Sequence, residues 1–280
     1  MKPTHAGLLI SLALASCHES KPNHDDHTQP GAPTNLIPAT SNTDQGKAPV
    51  TPELQQEREA FIADVMEFTH LTHDQVLDKV TVHNTGMKDE WTAWEKQGPM
   101  TDARIKEFYK TTSMYIYDLG SWHLWDPSKH ESDLALVDEL KQHNVKTVLD
   151  FGGGVGFNSF PIAKAGIDVT LADLDSVTMK FAQFRAQKLG LKMKFWKSDV
   201  EPMPPEAKYD AILCLDVLEH LPKDELHTIV DKLVKLKKPT TQIVIHAPFG
   251  RTATHPMHLD LTEDTKQQVL RLQNELPPKE

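Results

Sequence analysis

The chain has 280 residues and a formal net charge of −10, with 39% hydrophobic and 25% charged residues. This length accommodates one or two globular domains, and the composition is that of an ordinary folded protein. The negative charge argues against a nucleic-acid partner, because proteins that bind a phosphate backbone usually present a basic stripe. The two cysteines are too few for a disulfide framework or a cysteine-rich zinc site.

The N-terminus predicts a signal segment over residues 1–17. Lys2 precedes an apolar run from Ala6 to Ala15 that is too short to span a bilayer as a helix. The end of this segment, Leu14-Ala15-Ser16-Cys17, resembles the processing box of bacterial lipoproteins. That resemblance implies cleavage before Cys17, a lipid anchor on its sulfur and a location in the cell envelope. The alternative is a chance apolar start on a cytoplasmic protein.

Residues 18–52 are polar and contain six prolines. Such a segment buries too little apolar surface to offset the entropy of ordering, so it predicts a disordered linker. A lipid anchor at Cys17 followed by a flexible linker would tether the folded region to a membrane, so the two predictions agree.

Residues 53–130 predict a helical lid or accessory region. Apolar residues recur at helical spacing from Glu53 to Val82, with a break near Leu71 and a capping box in which Gln75 follows Thr72 by three residues. Thr101 or Asp102 is a candidate start for another helix. Four aromatic residues then follow between positions 112 and 126, and we expect them to pack on the core, with some also forming a wall of an acceptor pocket; they are Tyr115, Tyr117, Trp122 and Trp125.

From about residue 131 to 280, helices alternate with short β-branched runs, which predicts an α/β fold with a Rossmann-like parallel sheet. The predicted strands are Lys146–Phe151, Asp168–Asp173, Met193–Asp199, Tyr209–Val217 and Thr241–Ala247. The predicted helices are Asp133–His143, Phe157–Ala165, Ser176–Leu189, Lys223–Leu236 and Glu263–Leu276. Cys214, in an apolar run, predicts a buried thiol.

The turn after the first of these strands is rich in glycine, which lets the backbone turn tightly and approach a ligand closely. A dinucleotide-binding turn would favour glycine at position 157, where this chain has Phe157, so an enzyme that uses a nicotinamide dinucleotide is a weaker alternative. The pattern in this turn is Asp150-x-Gly152-x-Gly154-x-Gly156, with Gly153 inside it. It resembles motif I of the class I methyltransferases that use S-adenosylmethionine (SAM).

Three further segments follow this turn in the order that the family has. Asp173 ends the second strand and Ser198-Asp199 ends the third. Asp216-Val217-Leu218-Glu219-His220 closely resembles the segment after the fourth strand in methyltransferases of the ubiquinone-biosynthesis type and their small-molecule relatives. Ligands of open α/β sheets bind at such strand ends.

The resemblance implies that SAM is the cofactor and that the methyl group goes to an O, N or C atom of a small molecule. Gly152, Gly154 and Gly156 would approach the methionine part, while Asp150 orients the turn or contacts the amino group through water. Asp173 would accept bonds from the ribose and Asp199 from the adenine amino group. The remaining residues assigned to the cofactor site are Gly153, Leu174, Ser198, Val200, Asp216, Val217 and His220. Glu219 and His220 either serve the pocket or hold the loop.

Histidines after the fifth strand are the candidate general bases, because imidazole titrates near neutral pH. They are His246, His255 and His258. The alternative is a polar loop held by its own hydrogen bonds. No metal site is predicted, since Asp260 is the only nearby acid with suitable spacing.

The chain departs from the family after the fifth strand, where it has no room for the usual C-terminal strand hairpin. The strand Thr241–Ala247 would then form an exposed edge, which is a pairing hazard. We expect the last helix, the N-terminal helices or a second subunit, hence a homodimer, to cover it. The missing hairpin and the lipoprotein box together motivate another hypothesis, a catalytically silent SAM-binding or scaffold lipoprotein. An exported enzyme would also lack an obvious supply of SAM.

Overall fold

The computed structural model describes residues 50–81, 85–204 and 208–277. The predicted signal segment and nearly all of the predicted linker, including Cys17, lie outside these residues. Within the described part, six helices precede the sheet: α1 (Pro52–Thr69), α2 (His73–Thr81), α3 (Thr85–Lys96), α4 (Asp102–Thr111), α5 (Met114–Trp125) and α6 (Pro127–Gln142). No helix in the described ranges is both long enough and apolar enough to cross a membrane.

Side-chain caps fix where several of these helices begin. The Thr51 hydroxyl accepts from the Leu54 amide at 3.2 Å and Pro52 occupies the first turn of α1, where proline is favoured. The capping box predicted at Thr72 and Gln75 is present, with bonds of 2.9 and 3.3 Å. Thr101 caps α4. The predicted break between α1 and α2 and the predicted start of α4 are therefore confirmed.

The second half of the described chain is an α/β unit. Its strands are β1 (Thr147–Phe151), β2 (Asp168–Asp173), β3 (Lys194–Lys197), β4 (Tyr209–Leu215) and β5 (Lys237–His246). Its helices are α7 (Ser159–Lys164), α8 (Val177–Lys188), α9 (Lys223–Lys235) and α10 (Glu263–Asn274). All strand pairs are parallel, in the order β3-β2-β1-β4-β5. The predicted α/β class with a Rossmann-like parallel sheet is confirmed, and Cys214 is buried.

Several predicted boundaries were wrong for local reasons. Strand β3 ends at Lys197, where its pairing with Asp173 of β2 ends, so Ser198 and Asp199 follow the strand. Strand β4 ends at Leu215 because Asp216 has a φ of 56°, which is incompatible with a strand. Strand β5 begins four residues earlier than predicted, at Lys237.

Two corrections concern the helical region. Helix α6 begins at Pro127 instead of Asp133, because the Asp126 carboxylate accepts from the amides of Ser128 and Lys129 and so caps the helix. Helix α3 was not predicted. The predicted boundary between the helical region and the α/β region, at positions 130 and 131, falls inside helix α6, which is continuous there.

The helical region packs against α8 and the glycine turn. Phe61 of α1 is fully buried among aromatic rings that include Phe181 of α8, with ring centroids 6.0 Å apart. Arg185 of α8 donates to Asp64 of α1 at 3.0 Å, and both side chains are nearly buried. This packing holds α5 over the carboxyl ends of the strands.

Strand β5 forms one edge of the sheet, and no strand follows it within residues 247–277. Helix α10 packs beside α9, and its residues Val269 and Leu272 contribute to the same apolar layer as Ile243 and Ile245 of β5. Helix α10 therefore covers a face of the sheet. Covering of the edge by a second subunit stays a prediction.

Candidate functional site

One cavity opens at the carboxyl ends of β1, β2 and β4, the place where parallel α/β sheets bind ligands. Helices α4 and α5 form its opposite wall. Ten of the thirteen residues predicted for the cofactor site line it: Asp150, Gly152, Gly153, Gly154, Asp173, Leu174, Ser198, Asp216, Val217 and His220. The three that do not are Gly156, Asp199 and Val200.

The glycine turn after β1 has a backbone that side chains would block. Gly152 has a φ of 75°, and a Cβ built on it would lie 2.4 Å from Cγ2 of Val217. Gly154 has a φ of 53°, and its Cβ would lie 3.0 Å from Leu119 of α5. Only glycine adopts such angles readily. The turn therefore presents bare backbone to the cavity, with Val217 packed beneath it.

Asp173 joins the end of β2 to the glycine turn. Its carboxylate accepts from the amide of Gly154 at 2.7 Å and from the amide of Leu174 at 2.6 Å. Burial raises the pKa of Asp173 to about 6, although both amides oppose the shift. Each carboxylate oxygen has two lone pairs, so each oxygen can still accept a bond from a vicinal diol.

Asp150, near the end of β1, packs against the glycine turn. The Ser159 hydroxyl donates to its carboxylate at 2.6 Å. The same carboxylate lies so close to Gly153 that a Cβ there would be 3.0 Å from an Asp150 oxygen. Burial raises the pKa of Asp150 to about 6. This geometry favours the predicted role of orienting the turn.

Three residues predicted for the cofactor site lie beside the cavity: Asp199 and Val200, assigned to adenine, and Gly156, assigned to the methionine part. Asp199 accepts from Lys110 of α4 and from the backbone amide of Asp175, both at 2.8 Å, and its side chain is 2% exposed. Val200 is 58% exposed. Gly156 has a φ of 88° and packs against Phe160 of α7, away from the cavity. Lys110 thus already binds the acid that was assigned to adenine, a partnership that the sequence did not predict.

Asp216 and His246 form a pair at the ends of β4 and β5. Asp216 has a φ of 56°, which is uncommon for a residue other than glycine and marks local strain. Its carboxylate bonds to Nδ1 of His246 at 2.6 Å, and this hydrogen bond raises the pKa of His246. Of the two, only Asp216 lines the cavity.

The other two predicted bases lie near His220. The ring of His258 lies 4.8 Å from the ring of His220 and 4.8 Å from that of His255. The Tyr109 hydroxyl bonds to Nδ1 of His220 at 2.9 Å. Burial, together with the neighbouring histidines, lowers the pKa of His220 to about 3. Burial also lowers the pKa of His258 to about 4. His220 is the member of this group that reaches the cavity.

Glu219 lies beside these histidines with its side chain fully buried. Neither of its carboxylate oxygens makes a hydrogen bond of normal geometry within the described chain, and burial raises its pKa well above the usual range. Glu219, His220 and His258 each offer a ligand atom, and these atoms lie within 4.8 Å of one another. Carboxylate and imidazole groups so arranged can hold a divalent metal ion. This grouping could not be predicted from the sequence, because His258 is far from the other two residues in the chain.

Helices α4 and α5 supply cavity residues that the motifs could not reveal. Tyr115 and Trp122 line the cavity, as expected for part of the aromatic segment, whereas Tyr117 is buried among helices. Tyr109 and His123 also line it, and neither was singled out from the sequence.

Residues 148–240 match the family model described as a methyltransferase domain. Among curated proteins, the ubiquinone biosynthesis O-methyltransferase of Rickettsia typhi is 26% identical over 152 residues, 53% of this chain and 61% of that protein. That of Nitrosospira multiformis is 34% identical over 125 residues, 41% of this chain and 52% of that protein. The chain thus spans between one half and two thirds of the length of each of these relatives. A magnesium protoporphyrin IX methyltransferase from Synechocystis PCC 6803, solved with bound SAM, is 25% identical with a TM-score of 0.36, covering 57% of this chain and 72% of that one.

Proposed function

We propose that this protein is a SAM-dependent methyltransferase that acts on a small-molecule acceptor. One observation carries the proposal: the glycine turn, Asp173 and Asp216 line a single cavity at the carboxyl ends of β1, β2 and β4. The match of residues 148–240 to a methyltransferase domain supports it.

The residues of the cavity fit the donor. The bare backbone at Gly152 and Gly154 leaves room for a ligand where a Cβ would intrude. The free lone pairs of Asp173 suit a ribose diol, and Ser198 lies next to it, with its amide 2.8 Å from the Asp173 carbonyl. SAM, when bound, supplies an electrophilic methyl group. The protein has to align donor and acceptor and exclude water, which the lid formed by α4 and α5 favours.

We further propose that the acceptor atom is the oxygen of a flat, phenol-like molecule. Tyr109, Tyr115 and Ile105 give this side of the cavity an aromatic and apolar wall, and His220 lies among them. The relatives described above are named as O-methyltransferases. The lowered pKa of His220 favours a neutral ring, which holds the Tyr109 hydroxyl at 2.9 Å from its Nδ1, so Tyr109 can bond to the acceptor hydroxyl and orient it. Asp216, which lines the cavity, is the candidate proton acceptor, and the bond from Nδ1 of His246 orients its carboxylate.

Calorimetric titration with S-adenosylhomocysteine (SAH) tests the donor site, and a methyl-transfer assay on a panel of phenols and catechols tests the reaction. Asp173→Asn should abolish or strongly weaken SAH binding. Asp168→Asn, at the exposed opposite end of β2, is the matched control and should bind as the wild type does. Binding of a nicotinamide dinucleotide in place of SAH would refute the proposal. Binding of SAH without turnover on any acceptor would favour a silent SAM-binding protein.

Cellular placement and assembly are separate proposals. We propose that Cys17 carries a lipid anchor, on the strength of the processing-box resemblance; palmitate labelling that survives Cys17→Ser would refute it.

We also propose a homodimer that covers the edge strand β5. Light scattering after size exclusion should then give twice the chain mass, and a monomer at micromolar concentration would contradict the dimer.

A further inference from the structure

A buried histidine of α5 lies in the cavity wall opposite the glycine turn. His123 is 5% exposed, and its ring stacks on Phe157 with centroids 4.6 Å apart and planes 9° from parallel. Nδ1 of His123 bonds to the buried Asp133 of α6 at 2.5 Å. Two helices and the residue after the glycine turn therefore fix this ring in one orientation, although it lies outside every methyltransferase motif recognised in the sequence.

The hydrogen bonds around His123 determine which nitrogen carries the proton. One oxygen of Asp133 bonds to Nδ1 of His123, and the other pairs with Lys129 one turn earlier in α6. A carboxylate partner favours the proton on Nδ1, which leaves a lone pair on Nε2. Nε2 makes no hydrogen bond within the described chain, and the ring lines the cavity. Burial, the largest effect on His123, lowers its pKa despite the bond that it donates to Asp133, and thus favours this neutral form.

The neighbours of His123 in the cavity are also hydrogen-bond acceptors. Asn158 lines the same cavity, and its Oδ1 atom is buried without a partner. Asp150 lines it as well, with a carboxylate that receives a bond from Ser159. A buried acceptor without a donor is unfavourable by about 1–3 kcal/mol, so such atoms indicate a missing donor. Several acceptors in the lining of one cavity suit a cationic N–H donor.

We propose that Nε2 of His123, oriented by Asp133, binds the α-ammonium group at the amino-acid end of the methyl donor. This inference rests on the proposed function, and it names a subsite that the helical lid, not the motifs, contributes. Asn158 supplies a second acceptor for the same group. His123 is thus a specificity-determining residue for a donor that carries an amino group, and Asp133 is its positioning residue.

Calorimetry with three ligands tests the proposal. The ligands are SAH, the adenosylthio-butanoate analogue that lacks the amino group, and the adenosylthio-propylamine analogue that lacks the carboxylate. The key variant is His123→Asn, because its amide nitrogen can still donate to Asp133 while no atom reaches the position of Nε2. His123→Gln places a carbonyl oxygen nearer that position. His227→Asn is the matched control, since His227 forms a comparable pair with Asp264 (2.8 Å) that does not line the cavity.

A hydrogen bond to a charged group predicts a loss of about tenfold to a hundredfold in affinity for SAH and for the propylamine in His123→Asn. Affinity for the butanoate should be unchanged, His123→Gln should recover part of the loss, and His227→Asn should match the wild type. An equal loss for all three ligands would overturn the proposal, because it would mean a general packing role. A loss for the butanoate but not the propylamine would overturn it in favour of carboxylate binding. If the wild type binds no adenosyl ligand, the proposed function itself fails and this inference with it.

Discussion

Gly152 is the residue at which a single added methyl group should disturb both the fold and the donor site. It has a φ of 75°, and an added Cβ would lie 2.4 Å from Cγ2 and 2.7 Å from Cβ of Val217. Gly152→Ala therefore carries two penalties, one from the backbone angle and one from the clash. Gly166 has a φ of 82° with nothing within 4 Å of an added Cβ. Gly166→Ala thus carries the backbone penalty alone.

The two penalties have separate magnitudes. A left-handed backbone at a non-glycine residue is unfavourable by roughly 1–2 kcal/mol. Forcing an extra methyl group into a packed site adds typically about 1–3 kcal/mol. We expect Gly166→Ala to lower the free energy of unfolding by roughly 1–2 kcal/mol and Gly152→Ala by about 2–5 kcal/mol. Val217→Ala should rescue Gly152→Ala only in part, because the Cβ atom of residue 217 remains 2.7 Å away.

Urea unfolding measures both variants, and calorimetry with SAH measures the site. Gly152→Ala should weaken SAH binding even at temperatures where the variant is fully folded, whereas Gly166→Ala should leave it unchanged. Equal stability losses in the two variants would refute the clash. Unchanged SAH affinity in Gly152→Ala would show that the backbone of this turn does not approach the ligand.

Two further predictions concern buried charges. Asp173 accepts ribose hydroxyls best when ionised, and its pKa is raised to about 6. The SAH affinity of the wild type, measured by calorimetry across pH 5 to 8, should therefore fall as pH falls through 6. Any residual affinity of Asp173→Asn should not depend on pH in this range. Asp64→Ala leaves Arg185 buried without its carboxylate partner, which should lower the free energy of unfolding by about 3–5 kcal/mol. Glu67→Ala removes an exposed partner of Lys188 and should change the free energy of unfolding by less than about 1 kcal/mol. Equal losses for Asp64→Ala and Glu67→Ala in urea unfolding would contradict the argument from burial.

Much of the fold followed from local patterns. Strand β2 has the predicted bounds because its apolar run is flanked by Gly166 and a polar loop. Helix α6 starts earlier than its apolar spacing predicts, because the Asp126-Pro127 pair caps it at Pro127. Helix α3 was missed although its apolar residues Met87, Trp91 and Trp94 have helical spacing. For both helices the local sequence contains the signal that fixes the helix.

The site could be predicted only where residues share a motif. The glycine turn and Asp173 were found because short spacings fix them at neighbouring strand ends. The bonds from Tyr109 to His220 and from Lys110 to Asp199 join residues about a hundred positions apart. No local pattern gives the packing of α4 over the strand ends that brings them together. The contribution of the lid therefore required the tertiary structure.

Glu219 shows how a site residue can oppose the stability of the fold. Its carboxyl group is fully buried without a normal hydrogen bond, and its pKa is raised far above that of an unfolded glutamate. The folded state thus holds this proton more tightly than the unfolded state, so stability is highest at low pH and is lost as pH rises above the unfolded value toward the folded pKa. Glu219→Leu removes the penalty and should raise the free energy of unfolding at pH 8 by about 1–3 kcal/mol.

The gain from Glu219→Leu should shrink toward pH 5, where the wild-type carboxyl group is neutral in the folded state. Urea unfolding measures this difference in free energy, and a chelator is added so that no cation compensates the buried charge. Glu107→Leu, on the exposed face of α4, is the control and should show no such pH dependence. Parallel pH profiles for the wild type and Glu219→Leu would mean that Glu219 has a partner in solution. A divalent ion that restores wild-type stability at pH 8, but not that of Glu219→Leu, would identify that partner as a cation shared with His220 and His258, the other two members of the cluster.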